Sequence, residues 1–202
     1  TFEARVLISE MWRFGIMAGC FAVLALVWLF RRIAGGVDAA VDRITYTTCG
    51  ILLAAILFNL LGFGVVRASV KRRATRTPWV VPIGVGVDLV VPLACMLVLH
   101  LWSPLGPLRS LPAPVILVLS LVVMLSVLRL RPGLSVGLGI AAAVGHWGFV
   151  GATVAGGAAE GHMSELPRLL SYGLLLVIMG LAAGVIARLS RETIRAAVAE
   201  AQ

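Results

Sequence analysis

From Leu169 to Ile186 the chain carries no charged residue. Roughly 20 apolar residues rising about 1.5 Å each span the hydrocarbon core of a bilayer, so a run like this either crosses a membrane or fills a large apolar core. Pro167, just ahead of it, suits the first position of a helix. After Ile186 the character changes with no breaker: residues 188 to 202 contain neither Gly nor Pro. Ala187, Ile194, Ala197, Val198 and Ala201 recur at helical spacing, which predicts one apolar stripe on a helix leaving the membrane and a coiled-coil seam between two copies. The helix has no C-terminal cap before Gln202 and the chain begins at Thr1, so the expectation is the membrane part of a longer protein with a further domain beyond Gln202.

Composition favours the membrane. Hydrophobic residues make up 60% of the chain and charged ones only 13%, with a mean hydropathy of +1.05. A polytopic membrane protein has this balance; a soluble domain does not need it. The fold class expected is all-α: a bundle of six transmembrane helices, at about 12–30, 44–66, 79–101, 111–128, 134–155 and 167–187. Residues 1–11 read as an amphipathic surface segment, and residues 188–202 as a linker helix to an effector domain. The net charge of +8 comes almost entirely from arginine. Those arginines sit at the ends of apolar runs, so they point to helix anchoring and orientation, not to nucleic acid. Arg67, Lys71, Arg72, Arg73 and Arg76 follow span two, Arg129 and Arg131 follow span four, and Arg188 follows span six. All fall on one side, which places both termini in the cytoplasm of a multi-pass protein of the bacterial inner membrane. Arg31 and Arg32 break that rule, and pairing with Asp38 and Asp42 is one way to hold them. Cys20, Cys49 and Cys95 lie inside apolar runs without metal or redox spacing, so they read as core thiols. The first span is too long for a signal peptide and no cleavage site follows it.

No P-loop, HExxH or GxSxG motif is present, and these residues offer no catalytic group. The spans as drawn hold a single acid, Asp88, in Val85-Gly86-Val87-Asp88-Leu89. A lone charge at that depth costs about 2.5–3.5 kcal/mol even on lenient insertion scales, so Asp88 must face the bundle interior with a partner or be protonated. Asp88, His146, Trp147 and Asn59 are the candidates for ligand sensing. The plainer reading makes Asp88 and Asn59 interhelical hydrogen-bonding groups, together with Ser120, Ser126 and Tyr172. His100 with His162 and Glu160 in the following outer loops would be the residues for an external metal, and His100 with His146 those for a haem, though neither set has ligand spacing. Gly180 and Gly184 form a GxxxG on span six, expected at a dimer contact. Gly133, Gly137, Ala141 and Gly145 form a row at four-residue spacing on span five. Ile194 and Val198 would continue the dimer seam into the exit helix.

The stretch Val115-Ile116-Leu117-Val118-Leu119-Ser120 through Leu128-Arg129-Leu130-Arg131-Pro132-Gly133-Leu134-Ser135 resembles the six-helix membrane anchor found before bacterial class III adenylate/guanylate cyclase domains. Val87-Asp88-Leu89-Val90 and the arginine-bearing helix after Val185 are similar as well, so the likeness runs from about Trp79 to Gln202. Gly145-His146-Trp147 departs from the pattern expected in span five. The resemblance implies a homodimeric membrane sensor and anchor. Its C-terminal cytoplasmic domain would make cyclic AMP from ATP with a divalent metal, Mg or Mn, held in that domain, and this region would need no cofactor. Membrane lipid, a second copy, the chain's own effector domain and a lipid or small apolar ligand are the partners expected, with no nucleic acid. Two alternatives stand beside it: the input domain of a sensor histidine kinase, and a small transporter or channel. The apparent lack of paired intramembrane charges and of inverted repeats weighs against the transporter.

Overall fold

The computed structural model describes residues 2–35, 39–72, 79–102, 115–156 and 163–200. All regular elements among them are helical. We number the α-helices in chain order: α1 Phe2–Gly35, α2 Ala39–Lys71, α3 Val80–Trp102, α4 Val115–Leu125, α5 Pro132–Ala155 and α6 Leu166–Glu200. A 3-10 turn, Ser126–Arg129, extends α4, and a second, Met163–Glu165, leads into α6. Among the described residues five helices are long and apolar enough to cross a membrane; the fourth, described over Ile116–Arg129, is apolar but shorter. Large apolar side chains stand exposed along them, among them Phe30 at 72%, Leu117 at 70% and Val185 at 60%. Water would not tolerate such continuous apolar faces, whereas acyl chains solvate them at no cost.

Two long antiparallel pairs frame the molecule. In the first, Arg32 meets Asp42 near one end, Cys49 lies against the Ala25 carbonyl, and Gly62 meets Phe14 near the other end. In the second, Trp147 meets Gly173, Gly139 meets Gly180, and Val136 meets Gly184. Helices α3 and α4 pack between the pairs. The main apolar core runs through Met17, Phe21, Leu52, Cys95, Leu119 and Leu176. A smaller cluster, Leu7, Phe14, Val66, Val80 and Val81, closes the end where α1 and α3 begin and α2 finishes.

Several expectations change here. Residues 2–11 are not a separate surface segment: they are the first turns of α1, and Leu7 and Glu10 are buried. The four-spaced row on α5 is not its packing face. Gly133 and Gly137 have open space beside them, and the nearest atoms to Gly145 are those of the Leu93 side chain on α3. The buried face is Ser135, Leu138, Gly139, Ala142, Ala143 and His146. A Cβ on Gly139 would stand 2.6 Å from the Gly180 Cα, and one on Gly184 would stand 2.7 Å from Val136 Cγ2. Gly180 and Gly184 thus spend their close approach on α5 of the same chain, not on the exposed side of α6. Ser120 and Ser126 bond to the carbonyls of Ile116 and Val123 within their own turns and bridge no helices. Helix α6 does run unbroken from Leu166 to Glu200, as the absence of a breaker requires.

Candidate functional site: a buried ring of four charges

Four charged side chains are buried among the described residues: Glu10 at 2% exposure, Arg13 at 1%, Arg129 at 3% and Asp88 at 4%. They touch one another. The α-helical spacing of three puts Glu10 and Arg13 on one face of α1, where Arg13 Nε donates to Glu10 Oε2 at 2.7 Å. Arg13 Nη1 donates to Asp88 Oδ2 across to α3. Arg129 Nη2 donates to the same Asp88 oxygen at 3.3 Å, and Arg129 Nε stands 3.7 Å from Glu10 Oε1. Each cation therefore faces two anions and each anion two cations, in a closed ring of zero net charge. Burying one such ion costs several kcal/mol, and mutual pairing is what makes four of them tolerable, while Arg13 Nη2 and Asp88 Oδ1 find no hydrogen-bond partner among the described residues.

Local sequence builds each corner. Asp88 sits four residues before Pro92, which has no N–H to give the Asp88 carbonyl, so the α3 ladder is open at this point. Gly84, one turn before Asp88, makes room for Arg13: a Cβ there would lie 2.8 Å from Arg13 Nη2. Gly62 on α2 does the same for Phe14, whose ring carries the Arg13 guanidinium 4.1 Å from its centroid. Arg129 comes from the tight turn. Its Nη1 also donates to the Val81 carbonyl at 3.3 Å. Leu130 follows in the left-handed region at φ 53°, costing about 1–2 kcal/mol for a non-glycine residue, and Pro132 starts α5 directly after. The Ser9 hydroxyl lies 2.7 Å from the Leu128 carbonyl and 2.8 Å from that of Val6, sharing its proton between them and pinning the turn to α1.

Asp88 thus has the interior position and the partners its depth demands. Its partners were not legible as such: Arg129 read as an orienting arginine, Glu10 fell in the surface segment 1–11, and Arg13 fell inside the first span without being singled out. An acid and a base three residues apart at the head of an apolar run were the available signal. They also supply the paired intramembrane charges whose apparent absence weighed against a transporter.

The other candidates stand elsewhere. His146 Nε2 donates to the Leu169 carbonyl at 2.9 Å and Trp147 Nε1 to the Leu170 carbonyl at 3.1 Å, so this pair fastens α5 to α6. Gly173 permits the Trp147 contact, since a Cβ there would overlap the indole at 2.0 Å. Tyr172 stands edge-on to the His146 ring, 6.4 Å between centroids. Asn59 donates to the Ala55 carbonyl of its own helix at 2.9 Å. His100 stands beside Thr153, Nδ1 to Oγ1 3.5 Å. Glu160, His162 and Arg73 lie outside the described residues, as does the Val198 side chain. Among the described residues no three His, Cys, Asp or Glu side chains converge. Arg67, Lys71 and Arg72 are exposed at the end of α2, Arg131 is exposed at the start of α5, and Arg188 pairs with Glu192 at 2.9 Å on the surface of α6. Arg32 pairs with Asp42 at 2.6 Å, which accounts for one of the two arginines that break the orientation rule. Ile194 is half-buried.

No family model matches the chain, and neither a curated protein nor a solved structure matches it.

Proposed function

We propose that this chain is the membrane anchor and sensor of a bacterial class III adenylate cyclase, with six crossings, both ends in the cytoplasm of the inner membrane, and two copies side by side. The observation that carries the reading is the continuity of α6. It is one helix of 35 residues, apolar in its first half and charged at Arg188, Arg191, Glu192 and Arg195 beyond it. A helix that emerges unbroken can pass a rotation or a shift to whatever is joined to it, as a flexible loop cannot.

The packing also supplies a route from the charge ring to that helix. Arg129 lies in the turn that ends in Pro132. A Cβ built on Gly184 would stand 3.2 Å from the Pro132 carbonyl oxygen, so the turn abuts α6 directly. A change in the ring that moves Arg129 therefore bears on α6 one turn before Arg188. A coupling of this kind is physically contiguous, and the test of it is whether both ends respond together. The cyclase itself, with its Mg or Mn, is assigned to a cytoplasmic domain joined beyond α6, and the resemblance in the α4–α5 turn is the reason to place a cyclase there before a kinase.

The test is the purified full-length protein with ATP and a divalent metal. Cyclic AMP production that changes in an Asp88→Asn variant supports the reading; no cyclic nucleotide from ATP or GTP removes it. The buried charges favour one other reading, a transporter. It predicts proton or ion flux in proteoliposomes that Asp88→Asn abolishes.

A further inference from the structure

Beside the charge ring lies a crevice of about 410 Å³ between α1, α3 and the α4–α5 turn, with Leu7, Val81 and Val85 among its apolar walls and Glu10, Arg129 and Arg131 as its charged groups. Its volume falls within the roughly 300–1,000 Å³ of small-molecule sites, and its lining has the usual make-up of one: apolar walls with a few convergent polar groups. The charges on its lining do not balance. Glu10 contributes one negative charge, while Arg129 and Arg131 contribute two positive ones. Glu10 and Arg129 are committed to the ring, whereas Arg131 is exposed and no carboxylate among the described residues pairs with it. The first turn of α5 starts at the same place. Pro132 leads it, and the N–H groups of Leu134 and Ser135 both turn back to the Arg131 carbonyl, so the positive end of the helix adds to that of the arginine.

We propose that this crevice seats one acyl chain of an anionic membrane lipid, with the lipid phosphate paired to Arg131 at the mouth. The apolar walls take the chain, and the excess positive charge selects an anionic head over a zwitterionic one. The proposal deepens the sensor reading, since it names the ligand class and puts it against the turn that bears on α6. Its test reads binding alone and so stands or falls apart from any cyclase assay.

The protein is extracted in mild detergent, equilibrated with mixed micelles of equal phosphatidylglycerol and phosphatidylcholine, and weighed by native mass spectrometry. One phosphatidylglycerol should be retained in preference to phosphatidylcholine. Arg131→Gln should lower that retention about tenfold, the loss of one charge-assisted pair, and Arg131→Lys should restore most of it. Val85→Trp, which fills the crevice, should also abolish it, while Lys71→Gln on α2 should not. Size-exclusion elution at the wild-type volume confirms that each variant is folded. Equal retention of the two lipids, or phosphatidylglycerol retention untouched by both Arg131→Gln and Val85→Trp, overturns the proposal. Retention of added oleate in place of phosphatidylglycerol overturns the membrane lipid as the source.

Discussion

The guanidinium of Arg13 stands between Glu10, three residues back on its own helix, and Asp88, 75 residues away on α3. That one side chain turns a local pair into a clamp between helices, and Arg129 closes the clamp from the α4–α5 turn. The ring therefore ties α1, α3 and the turn together at the same end of the bundle, and its removal should be felt by all three.

Deleting one member leaves an uncompensated buried charge. Asp88→Leu leaves two arginines against Glu10 and should destabilise by about 3–5 kcal/mol; Arg129→Leu leaves two acids against Arg13 and should cost a similar amount. The double variant keeps the Glu10–Arg13 pair neutral, so it should cost less than the two single losses added, with a coupling of about 1–3 kcal/mol. Chemical unfolding of the four proteins in one detergent measures this. Simple additivity would mean that the ring does not act as a unit.

Glycine positions separate packed from open backbone. Gly139→Ala puts a methyl group against the Gly180 Cα and should cost about 1–3 kcal/mol by overpacking. Gly137→Ala, with open space beside it, should be neutral or stabilise by up to about 1 kcal/mol through helix propensity. Thermal unfolding of the two variants should move in opposite directions or differ by several degrees.

The α5–α6 fastening gives a third outcome. Trp147→Phe keeps most of the ring but loses the hydrogen bond to Leu170, worth about 0.6–1.7 kcal/mol between membrane helices. Gly173→Ala collides with the indole at 2.0 Å and should cost more. Combined with Trp147→Ala, which removes the ring, Gly173→Ala should become nearly silent. Melting temperatures of the three variants check the order.

The helices were legible in the sequence, and so was one corner of the site. Uncharged runs of about 20 residues bounded by arginines mark long apolar helices, because a segment of that length can satisfy its own backbone as a helix. The continuity of α6 followed from the absence of Gly and Pro, and the depth of Asp88 from its position in the run. What failed was the reading of charges at the head of a run. Glu10 and Arg13 have the spacing of interfacial anchors, and only the three-dimensional neighbour, Asp88, shows that they face inward. The same holds for Arg129: an arginine in a basic turn orients a helix or pairs with a buried acid, and composition cannot separate the two. On α5, four-residue spacing picked the row through Gly133 and Gly137, whereas the position of Gly180 on the partner helix selects Gly139. Contact faces are a property of two helices, and one helix's spacing leaves the choice open.

Orientation is open to direct test in a chain whose native cysteines are replaced by serine. A cysteine at Lys71, after α2, should be shielded from an impermeant thiol reagent added outside cells, and one at Gly156, after α5, should react. The opposite labelling reverses the topology and moves the lipid crevice to the outer leaflet.

The central claim is that α6 carries a signal from this domain to a cyclase, and insertions after Ser190 in the full-length protein test it most directly. Two glycines weaken the helix by about 2 kcal/mol in propensity, and two alanines rotate everything downstream by roughly 200° while keeping it helical. Both should change the rate of cyclic AMP production by the purified protein. A heptad of helix formers, close to two whole turns, should restore it. If all three insertions leave the rate as it was, the domain anchors the enzyme without speaking to it, and the account given for α6 is wrong.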